Sequence, residues 1–216
     1  MSYVCKCTGR NVGSVFHDQM EFLQAGDVEV GTWIAEDLAF QLIREEWVEF
    51  CDEEAWHTHH DPNTIKEALD LMYVTAQYLN VTIGADKAKE AWDALHANNM
   101  SVFHDQMEFL QAGDVSTGKW TDEHLAFQLI TEEYGELKET PYFDPDGSVN
   151  STNAIKEALD LMYVTAQYLN VTIGPEKATQ CWDALHANNM SKCVDGKLVK
   201  REDGKVLKPD GYERLD

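Results

Sequence analysis

Apolar residues recur at the spacing of an α-helix along most of the chain, and strand-like alternation is absent. In the first half of the chain this spacing predicts four helices, over residues 15–24, 35–53, 64–79 and 86–98. The third helix is apolar on more than one side, so we expect it at the centre of the fold. Asn63 or Thr64 could cap its first turn. The pattern therefore predicts an all-α fold.

Long segments of the chain occur twice. The segment VFHDQMEFLQAGDV covers residues 15–28 and returns unchanged at 102–115, and IKEALDLMYVTAQYLNVTIG covers 65–84 and 155–174. A repeat of roughly ninety residues is too long for a solenoid unit and long enough for a small domain. The sequence thus predicts two tandem copies of one four-helix unit.

The repeat divides the chain into three parts. Copy one covers residues 14–100, copy two covers 101–191, and a basic C-terminal tail covers 192–216. Because Met100 leads almost directly into the first helix of copy two, the copies should pack side by side as a pseudo-two-fold helical bundle. The alternative is two units that barely touch. The sequence leaves open whether two chains associate further as a homodimer.

Acidic residues outnumber basic ones, and the formal net charge is −22. A surface of this sign repels phosphate backbones, which argues against direct binding to nucleic acid. The five cysteines do not fall at equivalent positions of the copies, and their scattered placement fits a reducing cytosol. No apolar run is long enough to span a membrane, and the N-terminus lacks the apolar core of a signal peptide. We therefore expect a soluble cytoplasmic protein.

Each copy carries the same five carboxylates on its second and third helices. An EExxE motif is followed by ExxD, which gives Glu45, Glu46, Glu49, Glu67 and Asp70 in copy one and Glu132, Glu133, Glu136, Glu157 and Asp160 in copy two. Residues three or four apart share a helix face, so these acids should converge, and such oxygen-rich groups suit Mg²⁺ or Mn²⁺. The alternative is a solvated acidic face. Against it, Glu67 and Asp70 interrupt the most apolar helix, where an unpaired carboxylate would be costly.

The order EExxE, a gap of about twenty residues and ExxD resembles the metal signature of the all-α nucleoside triphosphate pyrophosphohydrolases. The segments EALDLMYV, HANNMSK and REDGKVLKPDGY resemble the MazG-like and phosphoribosyl-ATP pyrophosphohydrolase-like branch, which is frequent in phages. The resemblance covers the chain from residue 14 onward. It implies hydrolysis of a nucleoside triphosphate, usually a deoxynucleotide, to the monophosphate and pyrophosphate. The alternatives are a non-catalytic nucleotide-binding or sequestering protein on the same scaffold, and a purely structural acidic bundle.

The resemblance also implies a role for each carboxylate. The cofactor would be Mg²⁺, with Mn²⁺ as a substitute, and its ligands would be Glu46, Glu49, Glu67, Asp70, Glu133, Glu136, Glu157 and Asp160. The remaining pair, Glu45 and Glu132, would orient or deprotonate the attacking water.

Other polar residues are candidates for contacts with the nucleotide, namely His17, His104, Tyr73, Tyr163, Asn98 and Asn188. The histidines resemble a position that lines the nucleotide pocket of relatives, and their alternative is an ordinary surface or core position. The asparagines resemble substrate contacts, and their alternative is helix capping. The tyrosines follow the ExxD aspartates by three residues and could reach the same pocket.

Two further groups of residues have both a functional and a structural interpretation. The tryptophans Trp33, Trp47 and Trp120 could stack on a base, but tryptophan at helical spacing more often belongs to the core. The histidines His57, His59 and His60 could bind a transition metal, but such a cluster is more often part of a polar loop.

The tail departs from the two-copy symmetry. In relatives a similar GKVxK segment folds back near the nucleotide, so Lys205 and Lys208 could meet phosphates. The alternative is a solvated, flexible end. Copy one has no tail of its own, because Ser101 leads straight into copy two. Either one tail serves one site, or the two sites are unequal.

Overall fold

The computed structural model describes residues 15–56, 60–95, 103, 110, 115–140, 151–200 and 206–207. Within these residues the chain forms seven helices and one short antiparallel hairpin, which confirms the all-α fold. The helices are α1 (Val15–Ala25), α2 (Trp33–Trp56), α3 (Pro62–Ile83), α4 (Ala85–Leu95), α5 (Trp120–Glu139), α6 (Ser151–Ile173) and α7 (Pro175–Met190). The hairpin strands, in the basic tail, are β1 (Cys193–Val194) and β2 (Lys197–Leu198).

The start of α3 differs from the sequence prediction. Asp61 caps the helix, and its side chain accepts a hydrogen bond from the Asn63 backbone N–H at 2.9 Å. Pro62 can occupy the first turn because its fixed φ suits a helix and the N–H that it lacks would have no partner there. The prediction of a cap at Asn63 or Thr64 is therefore wrong. Gly84, at a φ of 83°, ends the helix and donates its N–H to the Asn80 carbonyl.

The long helices α3 and α6 form the centre of the molecule. Their apolar side chains are buried, including Leu71, Met72 and Leu79 in α3 and Leu161 and Leu169 in α6. They pack against each other, and each also packs against the preceding long helix of its own copy, α2 or α5. The buried apolar residues of the two copies form one continuous core. The copies therefore do not fold as units that barely touch.

Aromatic contacts between the copies come in reciprocal pairs. The Tyr73 ring lies 5.4 Å from Trp182, and the Tyr163 ring lies 5.9 Å from Trp92. Each pair joins the repeated tyrosine of one copy to the repeated tryptophan of the other. The two copies therefore exchange the same pair of aromatic contacts.

Buried asparagines tie the central helices to the first helix of each copy. Asn80 Nδ2 donates to the Phe16 carbonyl at 2.7 Å, and Asn170 Nδ2 donates to the Phe103 carbonyl at the same distance. Both side chains are fully buried, so these bonds replace the hydrogen bonds to water that the amide groups lose on folding. Among the described helices, none is both long enough and apolar enough to cross a membrane.

Candidate functional site

Three carboxylates of copy one meet between α2 and α3. Glu46 and Glu49 lie three residues apart on α2, and Glu67 lies near the start of α3. Each offers an oxygen, and these three oxygens lie within 4.8 Å of one another. Glu67 is 6% exposed, and its Oε2 atom has no hydrogen-bond partner among the described residues. A buried carboxylate oxygen in this condition is costly unless a cation or donor reaches it.

Lys66 partly neutralises this group and was not among the predicted site residues. Its Nζ donates to Glu67 Oε1 at 2.7 Å and to Asp70 Oδ2 at 2.9 Å. Burial disfavours the charged form of Lys66, but Asp70 and Glu67 outweigh burial and raise the lysine pKa above its usual range. Asp70 is thereby held beside the three glutamates. The lysine supplies one positive charge against four acids.

The pKa shifts in the group reflect this excess of negative charge. Burial, followed by the charges of Asp70 and Glu49, raises the pKa of Glu46 to about 8. Burial also raises the pKa of Glu67, although Lys66 acts in the opposite direction. A divalent cation would favour the ionised form of both glutamates.

Copy two repeats the arrangement nearer to solvent. Glu133, Glu136 and Glu157 also offer oxygens within 4.8 Å of one another. Lys156 Nζ lies 3.1 Å from Glu157 and 2.8 Å from Asp160, but its side chain is 58% exposed, against 25% for Lys66. Burial, followed by the charge of Asp160, raises the pKa of Glu133 to about 7. The second carboxylate group is therefore similar in geometry and less desolvated.

A cavity of about 650 Å³ lies beside the first carboxylate group. Copy one contributes the acids Glu45, Glu46, Glu49 and Asp70 together with Lys66. It also contributes an apolar wall, formed by Phe22, Leu23, Val28, Leu38, Leu42, Ile65 and Leu69. This size, with an apolar wall and a few grouped polar residues, is typical of small-molecule sites.

Copy two and the tail complete the cavity. The polar lining from this part of the chain consists of Lys177, Asn188, Asn189, Lys192 and Lys200. The cavity therefore lies between the copies, with acids from α2 and α3 in one part of its wall and amines from α7 and the tail in another.

Six of the predicted site residues line this cavity. They are Glu45, Glu46, Glu49, Asp70 and Tyr73 of copy one and Asn188 of copy two, whereas Glu67 lies behind the cavity lining. Tyr73 is buried, and its hydroxyl lies 3.5 Å from His186 Nδ1. Burial raises the pKa of the Tyr73 phenol above its usual range, so the hydroxyl stays protonated and can donate.

Other predicted residues lie elsewhere. His17 is exposed on α1, where its Nε2 lies 3.3 Å from Asp86 Oδ1, and it does not line the cavity. Tyr163 packs on Trp92, and Glu132 is exposed on α5. The predictions for His104, Asn98, Lys205 and Lys208 fall outside the described residues, as do His57 and His59.

The tryptophans do not line the cavity either. Trp33 and Trp120 are exposed at the starts of α2 and α5, whereas Trp47 stacks on Tyr134.

Several cavity residues were missed by sequence reasoning. Gln77 lies on the apolar helix α3, where its Oε1 accepts from the fully buried Gln19 at 3.2 Å. Asn189 accepts from Lys192 Nζ at 2.6 Å. The signal for Gln77 was a polar residue inside an apolar helix, but Asn189 and Lys192 reach the cavity only through the packing of the copies.

A contact between the copies borders the cavity. His60 lines it from copy one, and its Nε2 lies 3.1 Å from Glu123 Oε1 on α5 of copy two. Glu123 is almost fully buried, and its Oε1 accepts no hydrogen bond among the described residues, so the His60 ring is its polar neighbour at ion-pair distance only.

Comparison with known proteins identifies no relative, since the chain matches no protein-family model, no curated protein and no solved structure.

Proposed function

We propose that the chain is a Mg²⁺-dependent nucleoside triphosphate pyrophosphohydrolase that converts a (d)NTP to its monophosphate and pyrophosphate. One observation carries the proposal. Glu67 is buried, with one carboxylate oxygen unpartnered among the described residues, and its neighbours Glu46 and Glu49 line a cavity that is also lined by lysines. Cation ligands and phosphate-binding groups thus face the same volume, as a magnesium-bound triphosphate requires.

The residues present fit a hard divalent cation. Every candidate ligand is a carboxylate, and oxygen ligands are those that Mg²⁺ and Mn²⁺ prefer. Glu46, Glu49, Glu67 and Asp70 would hold the ion in copy one, with Glu133, Glu136, Glu157 and Asp160 at the equivalent positions of copy two. When bound, the ion would offset the charge of the phosphates and lower the pKa of a coordinated water.

The protein's own groups would position the substrate and move the proton. The apolar wall would take the base, and the hydroxyl of Tyr73 and the amide of Asn188 would form hydrogen bonds with the sugar. Glu45 lines the same cavity beside Glu46 and accepts the proton of the attacking water. The water oxygen forms a bond to one phosphorus of the α–β anhydride, the bond from that phosphorus to the bridging oxygen breaks, and the products are the monophosphate and pyrophosphate.

Product analysis tests this proposal. The protein is incubated with each dNTP and NTP in Mg²⁺, and the products are separated by ion-exchange chromatography. Monophosphate and pyrophosphate in equal amounts support the proposal. Tight binding without turnover would indicate the nucleotide-sequestering protein instead. Neither binding nor turnover of any nucleotide would overturn both.

A double substitution tests the assignment of the metal ligands. Asp70→Asn together with Asp160→Asn removes one carboxylate charge from each group with little change of shape. Activity should disappear in this variant. Full activity would show that the wrong residues have been assigned to the metal.

A further inference from the structure

The tail hairpin reaches the cavity of copy one. Leu198, Lys200 and Val206 line this cavity, although they lie beyond the end of copy two. Their positions are fixed by backbone pairing, because Lys200 is bridged to Val206 and the Leu207 N–H donates to the Val199 carbonyl at 2.7 Å. The described tail residues on either side of this pairing therefore lie against the site.

The hairpin packs closely on the end of α1. A Cβ atom added to Gly26 would lie 3.1 Å from Cε and 3.2 Å from Nζ of Lys200, so the glycine leaves room for this lysine. Lys197, three residues earlier on β2, does not line the cavity, and its Nζ lies 3.4 Å from Asp27 Oδ2. Of these two lysines, Lys200 alone lines the cavity.

Lys200 brings an available positive charge to the cavity. Burial lowers the pKa of its amine, and the charge of Asp27 acts in the opposite direction without outweighing burial. Among the described carboxylates, none forms an ion pair with Lys200. Lys192 also lines the cavity, and its Nζ is held at 2.6 Å by Asn189. An amine that lines the cavity and forms no ion pair with a described carboxylate is suited to bind an anion such as a phosphate group.

The second carboxylate group has no equivalent hairpin in the sequence. After the repeated segment WDALHANNM, copy two continues into the tail, whereas copy one continues through Ser101 into the first helix of copy two. Nothing in copy one therefore corresponds to residues 192–207. The carboxylates, Lys66 and Lys177 have counterparts in the other copy, but Lys192 and Lys200 have none.

We infer that the two carboxylate groups are functionally unequal, so that the chain binds one triphosphate, at the copy-one group, with Lys200 of the tail as a phosphate contact. This inference rests on the proposed function and specifies its site. The copy-two group holds the cation without a triphosphate. The fused chain therefore has one complete site instead of two.

Binding stoichiometry tests the inference without relying on turnover. The α,β-methylene analogues of the four dNTPs, which resist cleavage at the proposed bond, are titrated into the full chain in Mg²⁺ by calorimetry. For the analogue that binds most tightly, we expect one molecule per chain. Two molecules per chain with equal affinity would overturn the inference and leave the proposed function standing. No binding by any analogue would overturn both.

Substitutions in the hairpin then test the residue. Lys200→Ala should weaken binding of that analogue by roughly tenfold, since hydrogen bonds to charged groups are worth that much or more. Lys200→Arg should restore most of the affinity because it keeps the charge. Lys197→Ala is the matched control, with the same charge change in the same hairpin but outside the cavity lining. Equal affinity in Lys200→Ala and Lys197→Ala would overturn the role of Lys200.

Discussion

Trp47 of α2 stacks on Tyr134 of α5, with ring centroids 4.6 Å apart and an angle of 18° between the ring planes. The two residues occupy the same place in their copies, in FQLIREEW and FQLITEEY. The copies are therefore in contact at equivalent positions of the repeat. This stacking and the reciprocal Tyr73–Trp182 and Trp92–Tyr163 contacts join the copies through aromatic side chains.

Removing the Trp47 ring should therefore weaken the whole molecule. Trp47→Ala should lower the free energy of unfolding by about 3 kcal/mol, because it leaves a cavity between α2 and α5. Urea unfolding followed by circular dichroism measures the change. Trp33→Ala is the control, since Trp33 is 60% exposed and its loss should cost less than about 0.5 kcal/mol.

The same measurement tests whether the copies unfold together. The continuous core predicts one cooperative transition for the wild-type protein. Two separate transitions, one for each copy, would contradict the importance of the contacts between them.

Lys66 should stabilise the protein when no metal is bound. Lys66→Met keeps the side-chain length but removes the charge between Glu67 and Asp70, so in EDTA the free energy of unfolding should fall by about 1–3 kcal/mol. Mg²⁺ should then raise the melting temperature of Lys66→Met more than that of the wild-type protein. Lys156→Met, at the more exposed equivalent position, should show the smaller effect. A larger loss in Lys156→Met would contradict this ordering.

The two ExxD aspartates should differ in their effect on activity. Asp70→Asn should lower kcat/KM by more than roughly a hundredfold, since even outer-shell partners of a metal reach that range. Asp160→Asn should cause a clearly smaller loss, because Asp160 lies outside the cavity lining. Steady-state kinetics on the best nucleotide measures both values. Equal losses would indicate that both carboxylate groups turn over substrate.

Stability should depend on pH through Glu46 when metal is absent. Its pKa is about 8 in the folded protein against a reference value of 4.5, so the folded state keeps a proton that the unfolded state releases. The stability contributed by Glu46 is therefore complete below about pH 4.5 and is lost as the pH rises through about 8. Glu46→Gln removes this dependence, so its stability relative to the wild-type protein should increase between about pH 5 and about pH 8.

Urea unfolding of both proteins in EDTA at these two pH values provides the test. Glu133→Gln is the comparison. Its stability relative to the wild-type protein should stop increasing near pH 7, because the pKa of Glu133 is about 7. Mg²⁺ should remove the advantage of Glu46→Gln, since the metal favours the ionised glutamate. A difference between wild type and Glu46→Gln that is constant with pH would contradict the prediction.

The helices were predictable because each copy carries an unambiguous apolar pattern. The prediction of residues 35–53 for the second helix compares with Trp33–Trp56 in the structure, and that of 15–24 for the first compares with Val15–Ala25. The cap of α3 was misassigned because two polar residues follow Pro62, and only the backbone geometry shows that Asp61 performs this role.

The grouping of the carboxylates was also predictable, since helical spacing places Glu46 beside Glu49 and the adjacent apolar helix brings Glu67 close. The ion pairs of Lys66 could have been predicted in the same way, because Lys66 precedes Glu67 and lies four residues before Asp70. The contribution of Lys192 and Lys200 was not predictable. It depends on how α7 and the hairpin pack against copy one, and no local pattern encodes a contact over such a distance in sequence.

Because α3 and α6 belong to a single polypeptide, their packing does not depend on the protein concentration. A pair of separate subunits comes apart as its concentration falls below the dissociation constant, so its stability depends on how much protein is present. Here the second copy is always supplied at the high effective concentration set by the short connection. The cavity between the copies should therefore stay assembled in a cell that holds only a few molecules of this protein.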